Sequence, residues 1–307
     1  MVLWVLTFLT VMAFSFSLLV RTEVYSALSF KNETENKYLA EAGIQRGIME
    51  IFHYNANKNL KVVLEGREIL KTDGREYSGI AGKGRYSFRI IDESGKININ
   101  TLSDKTRIIF YNLLVNCGVP GEQADTIADS VLDWKDADEL HRLNGAESDY
   151  YMSLPDPYKS KNGNYDTPEE LLLVKGMTPD ILYGDEGGKS GIVNFITVHS
   201  NINRINLKAA PREVLASVPG FTADLAESII TLRETVPEEI ILHLQASLGK
   251  SYDESAPYIG AEDSNTYTID ALGYMEERKK GYSIRSTVII GDNNMAVRTV
   301  YYKSPDK

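Results

Sequence analysis

The first twenty residues, MVLWVLTFLTVMAFSFSLLV, contain no charged side chain. As a helix they would be about 30 Å long, which matches the hydrocarbon thickness of a bilayer. Trp4 suits one membrane interface, and Arg21 marks the other end of the run. A cleaved signal peptide fits less well, because no basic segment precedes the run and no small-residue cleavage site follows it. We therefore predict a transmembrane helix over residues 1–20.

This helix is expected to continue past the membrane. The next segment, RTEVYSALSFKNETENKYLAEAGIQRGIMEIF, contains no Pro, and no Gly before Gly43. Its apolar residues recur at helical spacing and are Leu28, Leu39, Ala42, Ile44, Ile48, Ile51 and Phe52. We predict one helix that ends near residue 54, with its first half in lipid and its second half packed on a soluble domain.

Apolar and polar residues alternate, as in strands, on both sides of a long helical region. The first alternating segment is YSFRIIDE, and residues 266–303 contain three more, TYTIDALGYM, GYSIRSTVII and MAVRTVYYK, with GDNN as a hairpin turn. Residues 55–84 read as a loop with one short strand near Lys61 to Leu64. The sequence therefore predicts an α+β fold, in which a long N-terminal helix and an antiparallel sheet carry a large all-helical domain inserted between strands.

These patterns divide the chain into four parts. They are a transmembrane helix over residues 1–20, a helix with the first strand or strands over 21–101, the inserted helical domain over 102–261, and the returning strands over 262–307. Within the insertion, KININTLSDKTRIIFYNLL and RINLKAAPREVLASV resemble two copies of one unit. Each copy has a short extended Ile-Asn segment followed by an amphipathic helix.

The charge of the chain limits its partners. Its net charge is −10 and its pI is near 5.1, whereas phosphate binding requires a basic surface. Between residues 133 and 186 there are thirteen Asp and Glu against five Lys and Arg. Such a concentration of negative charge attracts cations. The composition therefore argues against a general nucleic-acid binder.

The densest acidic stretch is DWKDADELHRLNGAESDYY. Asp133, Asp136 and Asp138 lie at a predicted helix end and in the turn after it, and Glu147 follows a loop in which Gly145 allows a bend. Carboxylates that converge in this way are the ligands that calcium prefers, although the spacing is not that of an EF-hand. From the residues alone, a calcium site, a solvated helix end and a catalytic carboxylate pair all stay open.

The catalytic alternative is a membrane-anchored, glycan-acting hydrolase that uses two of these carboxylates. The high density of negative charge and the lack of a nearby nucleophile argue against it. His141 is the one imidazole close by, and neither a paired-histidine metal motif nor a G-x-S-x-G motif occurs. Cys117 lies in an apolar context typical of an inert thiol.

A second alternative is DNA uptake through VPGFTADLAESIITLR, which resembles a helix-hairpin-helix. Such a unit holds DNA phosphates by backbone N–H groups at a glycine-rich turn. Here Thr222 replaces the second turn glycine, and Asp224 and Glu227 stand where a basic residue would be needed. We therefore predict a packing hairpin at Pro219 and Gly220.

Six phrases of the sequence occur in the order found in one protein family. They are VLWVLTFLTVMAFSFS, YLAEAGIQRGIMEI, IIDESGKININTLS, DWKDAD with NGAESDYY, KNGNYDTPEELLLVKGM and FITVHSNINRINLKAAPREVL. Together they resemble the K-type minor pseudopilin of bacterial type II secretion, also called general secretion pathway protein K. The phrases extend from residue 2 to residue 215, and weaker likeness continues to the end.

The resemblance implies a pilin-like fold, no catalytic activity and a place at the tip of a periplasmic pseudopilus. The implied partners are the I- and J-type minor pseudopilins and other pseudopilins, with secreted cargo left open and no nucleic acid. It also implies a single-pass anchor in the bacterial inner membrane, with the soluble domain in the periplasm. Family members start with a basic leader cut by prepilin peptidase. Met1 already lies inside the apolar run, so a truncated chain or misplaced start codon is expected.

The resemblance further implies bound calcium in the inserted domain. The matching DWKDAD and GAE phrases assign its ligands to Asp133, Asp136, Asp138 and Glu147. Asp149, Glu139 or a backbone carbonyl is an alternative ligand.

Overall fold

One helix, α1 (Val2–Asn57), runs through the apolar N-terminal segment and into the folded body of the protein. The computed structural model describes residues 1–58, 69–185, 187–275, 278–291 and 296–306. Residues of α1 are exposed up to Glu33, and the first buried residue is Asn36. Part of α1 is long and apolar enough to cross a membrane, with a mean hydropathy of 2.2. The predicted long helix is confirmed.

The remaining elements follow α1 along the chain. The strands are β1 (Asp73–Ala81), β2 (Gly84–Asp92), β3 (Ile97–Asn98), β4 (Ile196–Thr197), β5 (Ile205–Asn206), β6 (Ile259–Gly260), β7 (Thr266–Tyr274), β8 (Tyr282–Ile290) and β9 (Val297–Lys303). The helices are α2 (Arg107–Asn116), α3 (Gly121–Lys135), α4 (Ser148–Met152), α5 (Pro179–Tyr183), α6 (Arg212–Leu215), α7 (Ala223–Thr235), α8 (Ile240–Leu248) and α9 (Tyr252–Ser255). Helices α2 to α9 thus all lie between β2 and β7.

Within the described residues, five strands form an antiparallel sheet in the order β1-β2-β7-β8-β9. The centre of this sheet pairs β2 with β7, which are far apart in sequence; Phe88 lies opposite Ala271, and Ile90 opposite Ile269. The helical region is therefore an insertion between two paired strands. This confirms the predicted α+β fold with an antiparallel sheet.

The predicted loop over residues 55–84 is wrong where strand β1 (Asp73–Ala81) forms. The strand, DGREYSGIA, forms an edge of the sheet and is mostly exposed or half-buried. Because an edge strand has little to bury, its sequence lacks the alternation by which a half-buried strand is recognised. The strand predicted near Lys61 to Leu64 lies outside the described residues, as does the GDNN turn after Gly291.

The C-terminal half of α1 packs on β2, β7 and β8. Buried apolar side chains fill this interface and include Ile44, Ile51, Ile90, Ile269 and Val288. Two glycines of α1 allow the close approach. A Cβ on Gly43 would lie 3.0 Å from Cβ of Ala271, and one on Gly47 would lie 2.8 Å from Cγ2 of Ile269. The helix can therefore lie this close to the sheet because these two positions have no side chain.

The inserted region has a second hydrophobic core, distinct from the one under α1. This core extends from Ile97 to Ile259, so it begins before the predicted boundary at residue 102. The division of the chain into four parts stays a prediction. The insertion is also not purely helical, since β3 pairs in parallel with β4 and β5 pairs in parallel with β6.

These short ladders form at the two predicted Ile-Asn segments. The side chain of Asn98 accepts a hydrogen bond from the N–H of Asn100 (3.1 Å), and that of Asn206 accepts one from the N–H of Lys208 (3.0 Å). Each asparagine thus turns the chain directly after a two-residue strand. The same local geometry at both positions fits two copies of one unit.

The chain leaves the sheet after β2 and returns at β7 through a buried polar junction around Asp92. Its Oδ1 accepts hydrogen bonds from the N–H (2.9 Å) and Oγ (2.7 Å) of Ser94 and from Oγ of Ser264 (2.6 Å). Asn206 of the insertion donates to Oγ of Ser94 (3.1 Å). Burial raises the pKa of Asp92 to about 6 despite these hydrogen bonds. One carboxylate therefore links both ends of the insertion to the sheet.

Candidate metal centre

Helix α3 positions the first two residues of the acidic cluster. Its buried apolar residues recur every three or four positions and are Ala124, Ile127, Ala128, Val131 and Leu132. Asp133 lies in the last turn of this helix and is fully buried. The N–H of Asp136 donates to the carbonyl of Leu132 (3.2 Å), and its backbone is then extended. The helix ends there, so Asp136 begins the following loop.

Glu147 enters the cluster from the other end of this loop, directly before α4. It is only 1% exposed. One carboxylate oxygen from each of Asp133, Asp136 and Glu147 lies within 4.8 Å of the other two. The loop therefore folds back on the end of α3, and three of the four predicted ligands converge.

Asp138 does not join the other three. It is exposed, and its Oδ1 accepts a hydrogen bond from the N–H of Leu140 (2.8 Å). The alternative ligand Glu139 accepts hydrogen bonds from Oγ of Ser148 (3.2 Å) and Nδ2 of Asn162 (3.0 Å). Both carboxylates thus stabilise the loop around the cluster in this structure.

Arg142 supplies a positive charge that the sequence analysis overlooks. Its Nη1 donates to Oδ1 of Asp133 (2.6 Å) and to Oδ2 of Asp136 (2.7 Å), and its N–H donates to Oδ2 of Asp133 (3.1 Å). Its Nε donates to Oδ1 of Asp104 (2.7 Å), outside the cluster. A sequence signal existed, because Arg142 is the one Lys or Arg between Asp136 and Glu147.

The carboxylate of Glu147 is buried without compensation. Among the described residues, neither of its oxygens accepts a hydrogen bond, and Oδ1 of Asp136 also lacks a donor. Burial raises the pKa of Glu147 to about 7, and the negative charges of Asp133 and Asp136 add to this rise. The hydroxyl of Ser160 opposes it without making a hydrogen bond of standard geometry. The cluster is therefore short of positive charge.

Calcium fits this donor set. It accepts carboxylate oxygens in flexible geometry, and three converging carboxylates carry more negative charge than one guanidinium neutralises. A buried charge without a partner is costly, and a bound cation would remove that cost at Glu147. Asp133, Asp136 and Glu147 are the residues that would hold the ion. Its presence and its full ligand set stay predictions.

An aromatic cluster forms one side of the candidate site. The ring of Trp134 packs edge-on against that of Tyr151 (5.2 Å between centroids), and Tyr151 stacks on Tyr158 (5.2 Å). Nζ of Lys175 lies 5.0 Å from the ring centre of Tyr150 and donates to the carbonyl of Gly145 (3.0 Å). These contacts fix the loop on both sides of Glu147, and Trp134 directly follows the candidate ligand Asp133 in the sequence.

The predicted hairpin at Pro219 and Gly220 joins α6 and α7. Gly220 adopts a left-handed backbone with φ +81°, and Oγ1 of Thr222 caps α7 by accepting from the N–H of Leu225 (3.2 Å). Arg212 pairs with Glu227 across the two helices. The threonine in place of the second turn glycine thus serves as a helix cap, and the charge of Glu227 is paired with Arg212 within the hairpin.

Taken together, these elements define a class of protein. A long N-terminal helix packs on an antiparallel sheet, and a mostly helical region that holds the acidic cluster is inserted between two paired strands. A chain of the solved GspK-GspI-GspJ complex from the enterotoxigenic Escherichia coli type 2 secretion system shares this fold. The TM-score is 0.58 at 13% sequence identity, and the match covers 94% of this chain and 100% of that one.

Residues 95–183 match the family model of the type II secretion system (T2SS), protein K. The chain is 33% identical over 112 residues to the type II secretion system protein K of Pectobacterium carotovorum subsp. carotovorum, which is 36% of this chain and 34% of that protein. It is 27% identical over 157 residues to the protein K of Pseudomonas aeruginosa, which is 49% of this chain and 45% of that protein. The matches thus span less than half of these relatives, and they confirm the resemblance to protein K.

Proposed function

We propose that this chain is a non-enzymatic minor pseudopilin at the tip of a type II secretion pseudopilus, where it assists assembly and protein export. The observation that carries the proposal is the protein K match over residues 95–183, which contains the whole acidic cluster. The fold shared with a chain of a GspK-GspI-GspJ complex supports I- and J-type pseudopilins as its partners.

The position of the insertion supports a place at the tip. The insertion occupies the chain from β3 to β6, between two adjacent strands of the sheet. Subunits inside a helical filament must repeat at close spacing, and a bulky inserted domain would collide with the next subunit. At the end of the filament this space is free.

Helix α1 supports membrane anchoring and assembly with partner helices. Its apolar side chains remain exposed beyond the predicted membrane segment, at Val24, Tyr25, Leu28 and Phe30. An apolar surface of this kind needs lipid or other helices around it. We infer a single-pass anchor in the bacterial inner membrane, with the sheet and the insertion in the periplasm.

Within this function, calcium would act as a staple. An ion held by Asp133, Asp136 and Glu147 would tie the end of α3 to the start of α4 and neutralise buried charge. The burial of Asp133 and Glu147 also argues against the hydrolase alternative, because a glycan could not reach either carboxylate. Asp224 and Glu227 on α7 argue against DNA binding at the hairpin.

The test is co-purification of residues 1–307 in detergent with co-expressed I- and J-type pseudopilins, in calcium and in EGTA. We expect a stable three-protein complex with calcium and less of it with chelator. A matched control omits the J-type protein and should lower the yield of complex. If the I- and J-type proteins co-purify with each other but not with this chain in either buffer, and deleting the gene leaves secretion intact, the proposed function is wrong.

A further inference from the structure

The guanidinium of Arg142 reaches into the acidic cluster and contacts two of its carboxylates. Nη1 lies 2.6 Å from Oδ1 of Asp133 and 2.7 Å from Oδ2 of Asp136. These are short, charge-assisted hydrogen bonds. Arg142 is thus a cation held between two of the three converging carboxylates.

This cation satisfies the cluster incompletely. Among the described residues, both oxygens of the buried Glu147 and Oδ1 of Asp136 remain without a hydrogen bond. A guanidinium carries one positive charge and donates in a fixed plane, so it cannot face all three carboxylates at once. A small divalent ion carries twice the charge and can contact oxygens in every direction. The site is therefore closed by a cation that suits it less well than a metal ion would.

The two cations compete for the same oxygens. Calcium coordinates oxygen at about 2.3–2.6 Å, and Nη1 already lies about as close to the oxygens of Asp133 and Asp136. Two cations in contact with the same oxygens would repel strongly. Arg142 has another partner, because its Nε already donates to the exposed Asp104 (2.7 Å). The side chain can therefore leave the cluster while keeping an ion pair at its rim.

We propose that Arg142 is a built-in competitor that closes the acidic site in the metal-free protein and is released toward Asp104 when a divalent cation binds. This inference rests on the calcium site of the proposed function. Arg142 then has two effects. It stabilises the metal-free fold, and it lowers the apparent metal affinity in proportion to the fraction of molecules whose site is free of the guanidinium.

The test uses residues 1–307 in detergent, with Trp4→Phe so that Trp134 is the remaining tryptophan. Terbium serves as the probe for a calcium site, and its emission excited through Trp134 reports binding; calcium then displaces it. If Arg142 holds the site in about nine of ten molecules, R142Q should bind calcium about tenfold more tightly than wild type. R142K, which keeps the charge, should stay within about threefold of wild type. R212Q removes the exposed pair with Glu227 and should change nothing.

A thermal melt covers the case in which R142Q folds poorly without metal. R142Q should melt well below wild type in EGTA, and the gap should shrink in saturating calcium. Equal calcium affinity of R142Q and wild type, or weaker affinity of R142Q, would overturn the proposal that calcium displaces Arg142. The calcium site itself would still stand. If neither R142Q nor wild type binds terbium or calcium, the proposed calcium site is wrong, and so is the proposal that calcium displaces Arg142.

Discussion

Gly145 lies directly against Asp133: a Cβ built on Gly145 would sit 1.7 Å from Oδ2 of that carboxylate. The backbone of Gly145 is not left-handed, so a bend does not explain the glycine. The reason is space, because the buried carboxylate occupies the volume that any side chain would need. A glycine is therefore needed at position 145, as the sequence predicts, but for space and not for a bend.

Gly145→Ala should therefore damage the site. Asp133 would have to move away from Arg142, leaving a buried charge without its partner. We expect a loss of about 2–4 kcal/mol in the free energy of unfolding, measured by urea denaturation in EGTA. Gly163→Ala is the matched control, since its nearest heavy atom would lie 3.8 Å away. Equal stability of the two variants would contradict this account of Gly145.

The three converging carboxylates should control the response to calcium. In wild type, calcium at one hundred times its Kd should add about 2.7 kcal/mol of stability. Asp136→Asn and Glu147→Gln should largely abolish the rise in Tm, whereas Asp138→Asn should keep most of it. Glu147→Gln should also raise the Tm in EGTA, because it removes a buried charge that lacks a hydrogen bond. A loss in Asp138→Asn as large as in Asp136→Asn would favour the four-ligand prediction.

The contact between α1 and the sheet depends on Gly47. Gly47→Leu would place a branched side chain where even a Cβ meets Ile269 at 2.8 Å. The helix would have to lift off β7, and we expect a loss of about 2–4 kcal/mol, read from the urea midpoint. Gln45→Leu, at an exposed position of the same helix, should be nearly neutral. Similar midpoints for the two variants would show that the helix does not pack as described.

Asp92 should make stability depend on pH. Burial raises its pKa to about 6 in the folded protein, whereas the unfolded chain releases this proton near pH 4. The folded state therefore binds the proton more tightly, and its stability should fall as the pH rises from about 4 to about 6. The expected loss of free energy of unfolding is about 2 kcal/mol, measured by denaturation in EGTA.

Asp92→Asn keeps an oxygen that can accept from Ser94 and Ser264 but cannot titrate. Its stability should lack this fall between pH 4 and pH 6. The exposed Asp180→Asn is the control and should retain the wild-type profile. An unchanged profile in Asp92→Asn would assign the pH dependence to other groups.

Local patterns determined much of this fold. Three signals depend only on neighbouring residues and can be recognised in a single sequence. They are the uncharged N-terminal run, the helical spacing up to Phe52 and the alternation in β2, β7 and β8. Strand β1 could not be predicted in this way, because it lies at the edge of the sheet and is defined by its pairing with β2. The extended Ile-Asn segments at Asn98 and Asn206 were predicted, but their pairing was not, because their partner strands β4 and β6 are distant in sequence.

For the site, the sequence by itself determined which acidic residues were candidates and that they flank a loop. It could not determine which of them meet, because convergence depends on the path of the chain from Asp136 to Glu147. Only the tertiary structure placed Asp133, Asp136 and Glu147 together, left Asp138 outside and put Arg142 between the carboxylates. The physical reason is that charge density is a property of composition, whereas the cost of a buried charge depends on which partners the fold brings within hydrogen-bond distance.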